Sequence, residues 1–343
     1  MSTATKMQQP NPGAHVLQVA CGYMASIALY AAVELDIADL LADGPQPVSE
    51  LARHSGANED ALYRTLRLLA SVGIFTESAP RTFAHTPASQ TLRTGATNSV
   101  RPLARWIPDP FHFRIYAELM HSLRTGQPCA DKVLGKPIFE YFPTDAHESE
   151  VFNAAMTSFS AQVIPAVLEA YDFSGIATLV DIAGGHGHVL FSILQKYPQM
   201  RGILTDLDHV LAGAAQAIHR QGLENRCTLQ TCDFFQSVPA GGDAYIMKHI
   251  IHDWDDDRAL LILRNIHSAF GSKKGKVILL EAVLAPGDEP HFGKFIDLEM
   301  LALPGGRERT EAEFRALFDR AGFRLSRVVP TMSPLWVVEA EKV

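Results

Sequence analysis

The sequence is short of cysteine, of positive charge and of repeats, and each shortage removes a class of protein. Only four cysteines occur, Cys21, Cys129, Cys227 and Cys232, none in C-x-x-C spacing. Neither a disulfide framework nor a structural zinc site follows, and a reducing cytoplasm is the expected location. The formal net charge is −8, whereas a protein that grips phosphate backbones needs a basic surface. Nucleic acid is therefore not an expected partner, although a small cationic ligand would be welcome. No G-K-[ST] follows the glycine-rich turn, which removes P-loop phosphate chemistry. There is no internal repeat and no low-complexity tract. What remains is a chain of ordinary globular composition, long enough at 343 residues for two domains.

One long uncharged run is present. "VLQVACGYMASIALYAAV", residues 16–33, approaches the ~20 apolar residues of a membrane span but lacks its basic flanks. A secretory signal would need a basic start and a small-residue cleavage site, and neither is convincing. The run reads as a helix buried between subunits, which implies a homodimer and no membrane partner. Before it, up to about Gly13, the chain reads as a loose polar arm.

The next module spells a helix from Ser49, a turn at Gly56 and a second helix from near Asn58. Leu62, Leu66 and Leu69 recur there at helical spacing, and Gly73 offers a stop. "IFTE" and "TFAHT" follow as short strands. This is the pattern of a winged helix-turn-helix. With Arg64 and Arg67 it could face DNA, but the acidic balance favours a packing or dimerisation module. Residues 1–103 are assigned to this amino-terminal domain and 104–343 to a second domain. Residues 104–171 read as a helical roof. Phe152, Met156 and Phe159 share one helix face there, as core or as pocket lining.

From residue 172 onward, apolar strands alternate with helices, which indicates an α/β core with a parallel sheet covered on both faces. Three strand ends carry chemistry. "LVDIAGGHGHVL" ends a strand on Asp181 and turns through Gly184 and Gly185, where backbone can approach a ligand closely. A carboxylate before the glycines would repel a pyrophosphate and attract a cationic amino-acid group. Asp206, followed by Leu207, ends the next strand and suits the hydroxyls of a ribose. Asp233 and Phe234 follow a third strand, where an acid and a ring suit an adenine. Together they describe S-adenosylmethionine, leaving S-adenosylhomocysteine as product.

These segments, with "KHIIHDWDDD", "LLEAVLAP" and "GGRERTEAEFRALFDRAGF" in that order, resemble the caffeic acid and hydroxyindole O-methyltransferase family. The resemblance spans the whole chain. It implies a Rossmann-like class I methyltransferase domain behind a mostly helical winged-helix dimerisation domain. It also implies methyl transfer from S-adenosylmethionine to a hydroxyl of an aromatic secondary metabolite. Carried over residue by residue, His252 matches the family's base, and Glu281 and Glu308 the acids flanking it. Asp206, Asp233, Phe234 and Lys248 match cofactor contacts. The departures are Ala183 at the first glycine of the loop and His186 where a small hydroxyl residue is common. Ala183 is tolerable unless that position needs positive φ.

No metal is expected in this chemistry. A rival set of ligands, His249, His252 and Asp253, sits at a strand-to-loop junction where spacing guarantees nothing, and Lys248 would repel a cation. Asp255, Asp256 and Asp257 read as the start of a helix, and His249, His186 and His188 as structural or loop residues. Met300 joins Phe152, Met156 and Phe159 as expected acceptor lining. Two other functions stay open. The fold could serve a hydroxylase or decarboxylase that keeps the cofactor as a bystander, or a metabolite-sensing winged-helix regulator.

Overall fold

The computed structural model describes residues 11–343, so most of the polar arm lies outside the described residues. The chain divides into two compact units, Met1–Phe113 and Arg114–Val343. The division falls later than residue 103 because Ala104 packs into the core of the first unit.

In the first unit, the side chain of Asn11 accepts the amide of Gly13 and starts the helix Pro12–Glu34. Ala28, Ala32 and Val33 are buried, but Val16, Leu17 and Val19 are each about two-thirds exposed. The helices Val48–Ser55 and Glu59–Ser71 follow, the second capped by Asn58. Leu62, Leu66 and Leu69 point into the core, as their spacing predicts. Strands β1 (Gln46–Pro47), β2 (Phe75–Ala79) and β3 (Thr82–His85) form an antiparallel wing in the order β1-β3-β2.

The second unit opens with short helices and the long helix Ala146–Ala170, capped by Asp145. Its sheet strands are β4 (Thr178–Ile182), β5 (Arg201–Asp206), β6 (Cys227–Thr231), β7 (Ala244–Lys248) and β8 (Lys276–Glu281). A separate parallel pair joins β9 (Val283–Leu284) to β10 (Arg309–Thr310). The chain ends with β11 (Phe323–Val329) and β12 (Trp336–Lys342).

The seven-stranded order is β11-β12-β8-β7-β4-β5-β6. Pairing is parallel from β6 to β8. The expected parallel sheet is extended at the other edge by an antiparallel pair, where β12 runs antiparallel to both β8 and β11. The link between β11 and β12 is too short for a crossover helix, so the two strands must form a hairpin. Because β4 to β8 run in one direction, Asp181, Asp206, Lys248 and Glu281 all come to the same carboxyl edge of the sheet.

Candidate active site

Along that edge, the glycine loop is fixed by close packing. A side chain at Gly184 would lie within 2.4 Å of Leu204 and 2.5 Å of Oδ2 of Asp181, so only glycine fits. Asp181 is 1% exposed, and its Oδ2 has no hydrogen-bond partner among the described residues. Burial, then the nearby Asp206, push its carboxyl up to about 7. A buried carboxyl with one unpartnered oxygen beside a glycine cradle fits a positively charged amino-acid group.

Asp206 accepts the amides of Gly185 at 2.8 Å and Leu207 at 2.7 Å, which holds the loop and the strand end together. Asp233 is exposed and turned into its own loop, accepting from the amide of Phe235 and from Nε2 of Gln236. Phe234 packs edge-on against Phe235 and Trp254, and its carbonyl accepts from Asn265. Lys248 is half-buried, with its ammonium 5.6 Å over the ring of Phe159. Desolvation lowers its pKa against the pull of Glu281, Asp181 and Asp253.

His252 sits on a single 3₁₀ turn, Ile251–Asp253, and is 5% exposed. Its Nδ1 lies 2.7 Å from Oε1 of Glu308. Glu281 is fully buried and directs Oε1 at the amides of Ile250 and Ile251, with Oε2 3.9 Å from Nδ1. The two glutamates therefore divide their work: Glu308 holds the ring and Glu281 holds the backbone beneath it. Burial raises Glu308 to about 8, with Asp297 adding to the rise, and raises Glu281 to about 7. Asp253, whose Oδ1 is 3.4 Å from Nε2 of His252, is likewise raised to about 7, chiefly by burial.

His249 stacks face to face on His252 at 4.1 Å, and Phe159 stacks on its other side at 5.0 Å. Burial drives the His249 pKa well below the ordinary range, so the ring is neutral. His249, His252 and Glu308 do bring potential ligand atoms within 4.8 Å of one another, with Glu308 in the place expected of Asp253. Of these, His252 and Glu308 are already bonded to each other through Nδ1 and Oε1.

The structure thus gathers Lys248, His252, Glu281, Glu308 and Phe159, and lines up Asp181, Gly184, Gly185 and Asp206 beside them. Phe152 stacks on Phe142 at 4.7 Å, in an aromatic run that continues through Phe139 to Trp254. Met156 is half-buried on the same helix, and Met300 is buried in the helix Gly293–Ala302. Asp255 caps the helix Asp256–Ala269, as expected of the acidic run. Sequence reasoning missed Asp297, which accepts the amide of Glu308 at 2.8 Å, and Arg309, which is 1% exposed. The only signal for either was proximity to matched motifs.

A doubly wound sheet with acids at successive strand ends and a buried His–Glu pair beside them defines a class I, S-adenosylmethionine-dependent methyltransferase. Residues 116–324 match the O-methyltransferase domain, and residues 17–95 match the O-methyltransferase dimerisation domain. The phenazine O-methyltransferase PhzM of Lysobacter antibioticus is 43% identical over 328 residues, covering 96% of each chain. The crystal structure of LaPhzM superposes with a TM-score of 0.91 at 42% identity, covering 97% of this chain and 100% of that one. NcsB1, an O-methyltransferase from neocarzinostatin biosynthesis solved with S-adenosyl-L-homocysteine and 1,4-dihydroxy-2-naphthoic acid, is 31% identical. Its TM-score is 0.82, with 98% of this chain and 100% of that one covered. The chain belongs to the O-methyltransferase family, and it is an S-adenosylmethionine-dependent enzyme of small-molecule secondary metabolism.

Proposed function

We propose that His252 is the general base of a metal-independent methyl transfer to a hydroxyl of an aromatic acceptor. The observation that carries this reading is the 2.7 Å bond between Nδ1 and buried Glu308. It fixes the ring, and with Glu308 ionised the proton sits on Nδ1, so that Nε2 presents a lone pair. The acceptor hydroxyl gives its proton to Nε2 as its oxygen takes up the methyl group. Ordinary values of ~10 for a phenol and ~6.5 for an imidazole leave a gap of roughly 5 kcal/mol. An ionised Glu308 narrows that gap by stabilising the imidazolium.

The bound cofactor supplies an electrophilic methyl group on a sulfonium. In this reading Asp181 takes its ammonium group, Gly184 and Gly185 let the backbone approach, and Asp206 with Leu207 takes the ribose. Asp233 and Phe234 take the adenine, and Lys248 closes the edge. Asp206 and Asp233 keep acceptor capacity after their backbone bonds, since each carboxylate oxygen has a second lone pair. Phe152, Met156, Phe159 and Met300 give an apolar lining suited to a planar ring. The aromatic acid bound to NcsB1 and the phenazine named for PhzM favour the same class of acceptor. The exposed apolar face of Pro12–Glu34 belongs to the matched dimerisation domain, which favours a homodimer.

The test is His252→Ala assayed with labelled cofactor across a panel of hydroxyaromatics. Turnover should fall by about a thousandfold or more while the cofactor dissociation constant stays within about twofold. Near wild-type turnover would remove the base assignment.

A further inference from the structure

Arg309 is a fully buried cation outside the matched set of site residues. Its guanidinium makes five hydrogen bonds. Nε and Nη2 donate to Oδ1 of Asp256 at 3.2 and 2.8 Å. Nη2 also donates to the carbonyl of Trp254 at 2.9 Å. Nη1 donates to the carbonyls of Ile251 at 3.0 Å and Arg307 at 3.4 Å. The carbonyls of Ile251 and Trp254 bracket His252 and Asp253. The carbonyl of His252 itself accepts from the amide of Arg307 at 2.8 Å. A side chain at Gly306 would collide with that carbonyl at 1.9 Å, so the two segments are pressed together. The base-bearing turn is thus splinted by the chain segment that also supplies Glu308.

We propose that Arg309 is a positioning residue for methyl transfer, locking the turn that carries His252 and keeping Glu308 available to its Nδ1. The inference rests on His252 acting as the base. Two separable properties of arginine are used. The planar fork matches donors to acceptors in fixed directions, which a lysine cannot do. The charge opposes the rise that burial imposes on Glu308 and Glu281. The other groups facing Glu308 are His252, His249, Asp253, Glu281 and Asp297. Lys248 also faces Glu281, but burial lowers its pKa, so Arg309 is the cation that stays charged throughout the working pH range.

The experiment compares Arg309→Lys and Arg309→Gln with wild type and with His252→Ala. Melting temperature, cofactor affinity, kcat, KM and the pH profile of kcat are measured for each. Arg309→Lys keeps the charge and loses the fork. Its kcat should fall about 10- to 100-fold with KM and cofactor affinity within about threefold, and the acidic limb should stay in place. Arg309→Gln should lose a similar factor and also move the acidic limb up by about one pH unit. Turnover within twofold of wild type in Arg309→Lys, or an unmoved limb in Arg309→Gln, overturns the proposal. So does a loss of kcat that only tracks lost cofactor binding. If neither variant folds, Asp256→Asn loosens the same fork from its exposed side. A severalfold fall in kcat at unchanged KM supports the splint, and wild-type kcat refutes it. An active His252→Ala would instead remove the base reading beneath it, whereas a dead one beside an unaffected Arg309→Lys removes the splint alone.

Discussion

The cofactor edge and the base turn lie side by side at the ends of β4 to β8, yet they are held by different forces. On the cofactor edge, carboxylates bond to amides a few residues away or on the neighbouring strand: Asp206 to Gly185 and Leu207, Asp233 to Phe235. These loops hold themselves. The base turn closes two backbone bonds of its own, Asp253 to Ile250 and Trp254 to Ile251, at 3.2 and 3.3 Å. It is gripped by Glu281 from β8, by Glu308 and Arg309 from beyond residue 305, and by the stacked His249. Oε2 of Glu281 and of Glu308 are buried without a hydrogen-bond partner among the described residues. Buried acidity occurs on both sides, at Asp181 on the cofactor edge and at Glu281, Glu308 and Asp253 around the base. What differs is that the cofactor side is tied by short-range turns and the base side by residues from distant segments.

The sharpest way to break this comparison is to exchange the two glutamates' properties. Glu308→Gln cannot hold Nδ1–H with a full charge and favours the wrong tautomer, so kcat should drop by about a thousandfold. Glu281→Gln keeps a carbonyl oxygen for the amides of Ile250 and Ile251, and should lose less than about tenfold. Equal losses in steady-state kinetics would mean that the division of labour is wrong. On the other side, Asp206→Ala should weaken cofactor binding by about 10- to 100-fold, read by calorimetry, with kcat at saturation nearly unchanged. A fall in kcat without a change in affinity would place Asp206 on the chemical side.

The same contrast explains what the sequence could reveal. Asp181, Gly184 and Gly185 lie in one continuous run, so strand, turn and acid are legible together. The helix cap at Asp255 and the leucines of Glu59–Ser71 are equally local signals. The roles of Glu281 and Glu308 depend on which oxygen meets which donor, and that is set by packing of β8 against a loop far along the chain. Periodicity expects Phe152 and Phe159 on one face of a helix, and both lie in Ala146–Ala170. Seven residues of helix span roughly 10 Å, however, enough for the two rings to meet different neighbours. The strands β11 and β12 escaped because charged and polar residues interrupt them. β12 is covered by pairing with β8, and β11 by β12 and the helix Glu311–Ala321. Glu339 is held in a network with Tyr171, Ser326, Lys276 and Arg327.

A pH series should separate stability from activity. Glu308, Glu281 and Asp253 have folded-state values of about 8, 7 and 7, raised above the ordinary carboxyl range chiefly by burial. For an acid raised on folding, the native state holds the extra proton. Its stabilising contribution is present at low pH and is lost as pH rises from the ordinary range through 7–8. Glu339 goes the other way, lowered to about 2 by its hydrogen bonds to Tyr171, Arg327 and Ser326 despite burial. Its contribution is lost only in strong acid. The cofactor-free protein should therefore melt at a lower temperature at pH 8.5 than at pH 6. Over the same interval kcat should rise by about 50- to 100-fold as Glu308 ionises. A melting temperature and a kcat that both stay flat over this interval would show that the buried acids are already ionised at pH 6.

The smallest effect tests the cofactor loop. Ala183 replaces the first glycine there and adopts φ of +52°, the conformation in which an alanine methyl is strained. Ala183→Gly removes that strain, worth about 1–2 kcal/mol, but gives the unfolded chain more freedom, which takes back about 0.5–1 kcal/mol. A net gain of about 0.5 kcal/mol is expected in denaturant melts, with cofactor affinity unchanged because the loop path is already set by Gly184 and Asp206. If the glycine variant instead binds cofactor markedly more tightly, the methyl is obstructing the ligand as well as straining the backbone. The cofactor edge would then be less self-sufficient than its local hydrogen bonds suggest.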